Sequence, residues 1–355
     1  MKILVTGGAG YVGSIIAEEL LKDGYQVLAL DNLQQGHKEA VPRGAEFVSA
    51  DICDPASLED VFRRYKFDAV MHMAAETVVE FSITDPWRYF QNNVIGGLNL
   101  LEAMRRHQVH KLVFSSSAAV YGEPQVIPIE ENHPKFPVNA YGESKLMFEH
   151  ILEWYGKAYG LKHISLRYFN AAGASKLLGE DHHPETHLIP NILKAAIIQP
   201  PISNPQPQGP GTRDSGFVSV FGTDYPTKDG SCIRDYVHVV DIARAHVLAL
   251  ERFESPAPSP QSLGAGDWGP EARAYNLGNG EGYSVLEVIE TAKKVTGIDI
   301  PVKVGARRPG DPAVLVASSN PAKTELGWKP QFLELGSIIE SAWRWMREHP
   351  NGYGR

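Results

Sequence analysis

The sequence predicts an α/β protein built on a doubly wound parallel sheet, with a smaller α/β domain toward the C-terminus. Short apolar runs alternate with segments of helical periodicity through the first half of the chain, which is typical of strands and helices in turn. A glycine-rich turn joins the first strand to the first helix. After Asn170 the alternation breaks, and stretches rich in Pro and Gly near 200–217 and 255–272 indicate surface insertions.

The length of 355 residues suits two domains, which we place at residues 1–170 and 171–355 with interleaved segments. A charged content of 21% and a net charge of -8 argue against nucleic acid or an anionic membrane surface as a partner. Two cysteines are too few for a disulfide framework, and neither a signal-peptide segment nor an apolar run of ~20 residues is present. These features predict a cytoplasmic protein.

The first unit is a strand, a glycine turn and a helix. The apolar run from Lys2 to Thr6 leads into the spacing Gly7-x-x-Gly10-x-x-Gly13, and helical periodicity follows. In a Rossmann-type fold such glycines allow a tight turn, bring the backbone close to a pyrophosphate and let the helix pack on the strand. With 33 glycines in the chain, the spacing alone is weak evidence.

Carboxylates follow the next two strands. Asp31 ends the second strand, where a carboxylate accepts hydrogen bonds from adenosine ribose hydroxyls and repels a 2′-phosphate, so NAD is favoured over NADP. Asp51 and Ile52 follow the third strand, Glu46 to Ala50, and Asp51 is placed to bond an adenine amino group. The alternative for Asp51 is a helix cap, but Asp54 is better placed before Pro55.

The fourth strand ends in the small pair Ala74-Ala75, which lets the backbone lie against a cofactor. His72 within that strand is interpreted as a core histidine. A long helix is expected from Asp85 to about His107, although Asn93 and two glycines fall inside it. Such residues cost helix stability, so a packing or functional reason is expected for them.

The fifth strand, from Lys111, closes in Ser115-Ser116-Ser117, where a hydroxyl lies beside a ligand of a parallel sheet. Ser117 is therefore a candidate to bond a substrate oxygen, the alternative being a turn serine that caps its own backbone. Tyr141 and Lys145 follow at the start of a helical pattern, one turn apart. A nearby ammonium favours the phenolate of a tyrosine whose pKa is ordinarily ~10.

Two clusters in the second half have both a functional and an ordinary interpretation. Arg234, Arg307 and Arg308 are suited to clamp a diphosphate, although surface arginines are common. The run from Asp181 to His187 is rich in metal-ligand residues. Because Pro184 interrupts any helical pairing of histidines, we expect no metal site.

Taken together, these motifs identify the chain as similar to the extended short-chain dehydrogenase/reductase family. The later segments Arg167-Tyr168-Phe169-Asn170, Phe221-Gly222-Thr223-Asp224-Tyr225-Pro226-Thr227, Arg234-Asp235-Tyr236-x-His238 and Arg308-x-Gly310-Asp311 resemble its UDP-glucose 4-epimerase branch. The resemblance covers nearly the whole chain. It implies NAD as cofactor, a UDP-hexose as substrate and a homodimer.

The resemblance also implies roles for individual residues. Tyr141 as phenolate would remove the O4 proton while C4 gives a hydride to NAD, with Ser117 on O4 and Lys145 supporting Tyr141 and the nicotinamide ribose. Cofactor contacts are implied for Gly7, Gly10, Tyr11, Val12, Gly13, Asp31, Asn32, Asp51, Ile52, Ala74, Asn93, Ser115, Tyr141, Lys145 and Tyr168. Substrate contacts are implied for Ser117, Tyr141, Tyr168, Asn170, His187, Leu188, Phe221, Arg234, Arg308, Asp311 and Leu315.

Two positions depart from the usual pattern or set specificity. Thr77 stands where many members carry a lysine that reaches the NAD pyrophosphate, so backbone amides are expected to serve instead. By the same resemblance, Leu315 lies at the position that forms the wall of the sugar pocket near C2. In size, leucine is intermediate between the Tyr that goes with exclusion of N-acetylated sugars and the Cys or Ser that goes with their acceptance. We expect UDP-glucose and UDP-galactose as the preferred pair.

Two rival functions are weighed. A nucleotide-sugar 4,6-dehydratase of the same family carries an Asp-Glu pair after the strand-five hydroxyl, and here those positions are Ala118 and Ala119. A non-catalytic NAD-sensing protein would be marked by loss of Tyr141 or Lys145, and both are present.

Overall fold

A seven-stranded parallel sheet forms the centre of the molecule, whose computed structural model describes residues 1–198, 216–254, 272–308 and 311–354. Its strands are β1 (Lys2–Thr6), β2 (Gln26–Asp31), β3 (Glu46–Ser49), β4 (Ala69–His72), β5 (Lys111–Ser117), β6 (Lys162–Tyr168) and β10 (Ala272–Leu277). They lie in the order β10-β6-β5-β4-β1-β2-β3. This arrangement confirms the predicted doubly wound fold. The two Pro- and Gly-rich stretches fall almost wholly outside the described residues.

Helices cover both faces of this sheet. They are α1 (Tyr11–Lys22), α2 (Pro55–Arg64), α3 (Val79–Thr84), α4 (Pro86–Tyr89), α5 (Gly97–Arg106), α6 (Ala140–Tyr159) and α8 (Val239–Arg252). On one face, Ile16 and Leu20 of α1 share a core with Val247 of α8. On the other, Leu58 of α2 and Phe148 of α6 share a second core with α5. Since the strands are buried on both faces, they are near-continuous apolar runs.

Smaller sheets complete the fold. Their strands are β7 (Asn170–Ala172), β8 (Val218–Phe221), β9 (Ile233–His238), β11 (Gly282–Ser284), β12 (Val302–Gly305) and β13 (Val314–Leu315). β9 pairs with β7, β11 and β13, and β8 pairs with β12. The remaining helices are α7 (Leu188–Ile198), α9 (Val285–Thr296), α10 (Asn320–Glu325) and α11 (Leu335–Glu348). A third core joins residues of α7, α9 and α11.

Two segments of the second half belong to the central sheet layer. β10 pairs with β6, and α8 packs beside α1 in the same core. The chain therefore returns to the first half after it has begun the smaller sheets. No helix of the described ranges is long and apolar enough to cross a bilayer.

The long helix expected from Asp85 to His107 is interrupted. Pro86–Tyr89 and Gly97–Arg106 are α-helical, and Phe90–Gly96 between them is a π-helical turn. A Cβ on Gly97 would lie 2.3 Å from the Phe148 ring, so this glycine allows close contact with α6. Close packing is thus the reason for a glycine that costs helix stability.

Candidate active site

A cleft lies at the carboxyl ends of the central strands, where the strand order reverses between β1 and β4. Its cavity volume is about 350 Å³. Many of the predicted cofactor and catalytic residues line it: Gly7, Gly10, Tyr11, Val12, Gly13, Asp31, Asn32, Ile52, Ala74, Ser115, Ser117, Tyr141 and Tyr168. The predicted substrate residues Asn170 and His187 line the same cleft. The fold therefore gathers groups from distant parts of the sequence into one site.

The glycine turn forms a cradle at the start of α1. Gly7 has φ +68°, and a Cβ there would lie 2.7 Å from the backbone nitrogen of Ala74. A Cβ on Gly13 would lie 2.1 Å from the carbonyl oxygen of Gly7. No side chain caps the α1 N-terminus, whose amides adjoin the cleft. This end of the helix suits the diphosphate of a dinucleotide such as NAD.

Asp31 and Asp51 hold the loops beside this cradle. The Asp31 carboxylate accepts hydrogen bonds from the Ala9 amide at 3.0 Å and the Leu33 amide at 2.8 Å. Burial raises the pKa of Asp31, and these two amides oppose the rise. Asp51 accepts from the Asn32 side chain at 3.0 Å and from the Cys53 amide at 2.7 Å. Asp54 caps α2, as the sequence indicates.

Asn93 lies behind the cleft and not in its lining. Its side chain donates to the Glu76 carbonyl at 3.1 Å and the Ser144 hydroxyl at 3.0 Å, and accepts from the Glu76 amide at 2.8 Å. These bonds engage both the oxygen and the nitrogen of the buried side-chain amide, and the direct cofactor contact of Asn93 stays a prediction. Asn92, which the sequence analysis did not choose, lines the cleft instead.

Tyr141 and Ser117 meet at the floor of the cleft. Their hydroxyls are hydrogen-bonded, and this bond works against burial, which raises the pKa of Tyr141. Ser117 Oγ also accepts from the Ala119 amide at 3.1 Å, so its single hydrogen is free to be donated to Tyr141. The sequence predicts a lowered pKa for Tyr141 because Lys145 is near. In the structure burial is the larger effect, and the pKa of Tyr141 is raised.

Lys145 is buried beneath the cleft. Its Nζ donates to the Ser115 carbonyl oxygen at 2.7 Å and lies 5.8 Å from the centre of the Tyr141 ring. Burial lowers the pKa of Lys145 to about 7. Asn139 caps the helix by accepting from the Gly142 amide at 2.8 Å, which fixes the first turn. Tyr141 and Lys145 therefore lie on one face, as their spacing predicts.

A buried ion pair holds the same helix from behind. The Glu149 carboxylate accepts from Arg167 Nε at 2.8 Å, from Arg167 Nη2 at 2.5 Å and from the Ser116 hydroxyl at 2.6 Å. Arg167 Nη1 also donates to the Tyr121 hydroxyl at 2.9 Å. Residue spacing does not predict this pair, because its two members lie on different elements, although Glu149 stands one helical turn beyond Lys145.

The other predicted substrate residues lie on or beside the strands of the smaller sheets. Arg234 forms an ion pair with Asp311, and Arg308 stacks on Phe221 with its guanidinium carbon 4.0 Å from the ring centre. Arg307 pairs with Asp224 at 2.7 Å, so its guanidinium already has a partner. These residues lie outside the lining of the cleft, as does Leu188 at the start of α7.

β9 connects these residues to the cleft. Asn170 of the cleft pairs with Tyr236 of β9, and Arg234 lies two residues earlier on the same strand. Leu315 pairs with Arg234 and packs against a cluster that includes Phe169, a residue of the cleft lining. β9 therefore joins Arg234 and Leu315 to the edge of the cleft.

The loop of residues 180–187 supplies side chains that the sequence analysis did not choose. Glu180, His182 and Thr186 join His187 in the lining. His187 Nδ1 lies 2.8 Å from Glu180 and 2.9 Å from Glu185. Burial opposes the charged imidazole, but the two carboxylates raise the pKa of His187 well above its ordinary value. Of the described residues that line the cleft, none is a lysine or an arginine.

Known proteins resemble the chain over its whole length. Residues 3–266 match the NAD dependent epimerase/dehydratase family. A UDP-glucose 4-epimerase of Lacticaseibacillus casei is 47% identical over 356 residues, covering 100% of this chain and 99% of that protein. The crystal structure of UDP-glucose 4-epimerase from Brucella ovis with NAD is 41% identical, with a TM-score of 0.84 and 97% coverage of both chains. The Bifidobacterium longum enzyme with NAD+ and UDP is 36% identical, with a TM-score of 0.86 and coverage of 99% and 100%.

Proposed function

The chain belongs to the NAD dependent epimerase/dehydratase family, and on this premise we propose that it interconverts UDP-glucose and UDP-galactose by epimerisation at C4 with bound NAD. One observation supports this most directly. The hydrogen-bonded hydroxyls of Ser117 and Tyr141 share a cleft with the uncapped start of α1, and Lys145 lies beneath them. A base and a diphosphate cradle in one cleft suit hydride chemistry on a sugar.

The residues around the glycine turn suit NAD. We assign the diphosphate to the amides at the start of α1, which no side chain caps, and a side chain on Gly7 or Gly13 would clash with neighbouring backbone atoms. Asp31 lies at the end of β2, where its carboxylate faces an adenosine ribose and disfavours a 2′-phosphate. Bound NAD supplies a reversible acceptor for a hydride.

Tyr141 moves the proton in this proposal. Its phenolate takes the O4 proton as the C4 carbon is oxidised to a ketone, and returns the proton when that carbon is reduced on its other face. Ser117, which donates to Tyr141 and lines the same cleft, is assigned to bond O4. In its protonated form, Lys145 places a positive charge 5.8 Å from the centre of the Tyr141 ring, where it stabilises the phenolate. The two sugars are therefore converted without net oxidation.

The smaller sheets suit the UDP portion of the substrate. We assign the diphosphate to Arg234 and Arg308, because one guanidinium group can donate two parallel hydrogen bonds to phosphate oxygens. Phe221, which is stacked with Arg308, is exposed enough to contact the uracil or ribose. Further substrate contacts are assigned to Tyr168, Asn170, His187, Leu188, Asp311 and Leu315. This handle supplies binding energy while the hexose remains free to turn.

Thr77 lines the cleft at the position where the resemblance implies a lysine, so another source of positive potential is needed there. Backbone amides at the start of α1 are one source of positive potential. We infer that these amides offset the charge of bound diphosphates.

The dehydratase alternative lacks a catalyst for elimination. Ala118 and Ala119 form a short 3-10 turn directly after Ser117, and neither side chain can donate or accept a proton. No observation favours the non-catalytic alternative, since Tyr141 and Lys145 are both in place.

The assay that tests the proposal measures formation of UDP-glucose from UDP-galactose, with dinucleotide released on denaturation identified in parallel. We expect turnover without added cofactor, and recovery of NAD. The Tyr141→Phe variant should lose at least about a hundredfold in kcat while it retains NAD, whereas Tyr155→Phe on the outer part of the same helix should not. Recovery of NADP, or a Tyr141→Phe variant with nearly full turnover, would refute the assignment.

The domain arrangement, assembly and location are further parts of the proposal. We assign 1–170 to the cofactor domain, joined by α8 and β10, and the rest of 171–355 to the substrate domain. Exposed Trp87, Met147 and Trp154 on the neighbouring helices α4 and α6 support a homodimer through this face. The cysteines Cys53 and Cys232 are both unpaired, which suits the cytoplasm.

A further inference from the structure

The loop before α7 contains two copies of a Glu-x-His unit. Glu180-Asp181-His182 is the first and Glu185-Thr186-His187 is the second. The chain turns back between them, so that both units face each other at the edge of the cleft. This convergence does not depend on a helix, so Pro184 does not prevent it.

The donor atoms of the four side chains lie close together. Glu180 Oε1 is 2.8 Å from His187 Nδ1 and 3.1 Å from His182 Nδ1. Glu185 Oε1 is 2.9 Å from His187 Nδ1. All four donor atoms fall within 4.8 Å of one another. A single ion can therefore contact all of them after small side-chain rotations.

Hydrogen bonds within the loop leave part of this polar surface unsatisfied. Two carboxylate oxygens face His187 Nδ1, which carries at most one hydrogen. The Glu185 side chain is 4% exposed, yet its Oε2 has no hydrogen-bond partner. An unpartnered buried carboxylate oxygen is costly, and it suggests that a further partner belongs here.

We propose that Glu180, His182, Glu185 and His187 bind one divalent transition-metal cation of the Zn²⁺ type. Two carboxylates balance a charge of two, and two neutral imidazoles complete a set of oxygen and nitrogen donors that Zn²⁺ prefers. His187, whose side chain is 43% exposed, lies on the solvent side and provides the path of entry. The bound cation ties the two halves of the loop together ahead of α7.

A neighbouring group provides the matched control. His37, Asp181 and His183 also lie within reach of one another. Their closest ring-to-carboxylate separations are 3.6 and 3.7 Å, and none of the three has a buried atom that lacks a partner. His183 is thus a histidine of the same loop that the proposed site does not use.

The test uses the full-length protein after removal of metal with a chelator, followed by calorimetric titration with Zn²⁺. We expect one ion per chain in the wild type, and at least about tenfold weaker binding in His182→Gln and in Glu185→Gln. His183→Gln should bind as the wild type does. Zn²⁺ should also raise the Tm of the wild type and of His183→Gln, but not that of the double variant His182→Gln/Glu185→Gln.

Each other result contradicts the site. Absence of stoichiometric binding in the wild type would overturn it, as would equal binding by all variants. Loss of binding in His183→Gln with retention in His182→Gln would show that the ion binds to His37, Asp181 and His183 instead. Circular dichroism of the metal-free variants establishes that each is folded. Metal binding is measured without turnover, so the result is independent of the proposed epimerase reaction.

Discussion

Glu149 and Arg167 form a buried two-bond ion pair one helical turn beyond Lys145, with side chains 4% and 2% exposed. Burial opposes the charged form of Glu149, but the Arg167 guanidinium holds its pKa below the ordinary value. The pair fixes α6 against β6, and therefore fixes the position of Tyr141 and Lys145. Its geometry makes the stability of the fold and the position of the catalytic groups depend on the same contact.

Removal of one partner should be severe. Glu149→Gln leaves the Arg167 charge buried without its counter-ion, and we expect the free energy of unfolding to fall by about 3–5 kcal/mol. Urea titration of the dinucleotide-free protein measures this change. Asp60→Asn breaks the exposed pair with Arg63 and should have little effect. Equal decreases in the free energy of unfolding in the two variants would show that the buried pair stabilises the fold no more than the exposed pair does.

Ser117→Ala should move the pH dependence of the reaction. The Ser117 hydrogen bond lowers the pKa of Tyr141 against the effect of burial, so its loss raises that pKa. The active phenolate then forms at higher pH, and the acidic limb of the kcat/KM profile should shift upward. Profiles of wild type and variant with UDP-galactose measure the shift. A lower rate with no shift of the acidic limb would mean that Ser117 bonds the sugar but does not affect the pKa of Tyr141.

Asp31 should control the choice of dinucleotide. The amides of Ala9 and Leu33 donate to different oxygens of Asp31, so Asp31→Asn retains an oxygen for only one of them. The substitution also removes the charge that disfavours a 2′-phosphate, so NADP affinity should rise relative to NAD. Asp31→Ala also leaves the two amides unpaired and should lower the free energy of unfolding by about 1–3 kcal/mol. Fluorescence titration of the stripped protein with both dinucleotides checks this, and an unchanged NAD-to-NADP ratio in Asp31→Asn would count against it.

Leu315 should set the preference between hexoses and N-acetylated hexoses. Leu315 packs toward Phe169 at the cleft, whereas Val316 packs near Gly282. Leu315→Tyr should therefore fill the pocket and abolish activity on UDP-N-acetylgalactosamine while it spares UDP-galactose. A change of this size corresponds to selectivity of about ten- to two-hundredfold. Comparison of kcat/KM for both sugars in wild type, Leu315→Tyr and Leu315→Ser tests this, and three equal ratios would remove Leu315 from the pocket wall.

The order of elements was predictable because local patterns determine it. Gly7 and Gly13 are needed where the first strand turns into α1, and Asp31 follows at the end of the next strand, so their positions in the cleft follow from spacing. The π-helical turn was not predictable, because it depends on how the helix fits beside α6. The end of α6 follows a local pattern, because Gly160 with φ +69° caps the helix directly after Tyr159.

Contacts between distant segments account for the rest. Residue spacing does not encode three contacts that depend on packing. They are the ion pair of Glu149 with Arg167, the hydrogen bond of Asn93 to Ser144, and the approach of Glu180 to Glu185. The pKa of Tyr141 is a further case. Sequence neighbours suggest a lowered value, but burial, which only the folded chain determines, raises it.

The place of β10 has a consequence for the order of synthesis. β6 has β10 as its outer neighbour in the sheet, yet β10 follows both β9 and α8 in the chain. A nascent chain that has just completed β6 therefore exposes an open edge with unpaired amides and carbonyls. We infer that the first half does not reach its final stability on the ribosome until much of the second half has emerged, and that its exposed edge makes it a client for chaperones in the interval.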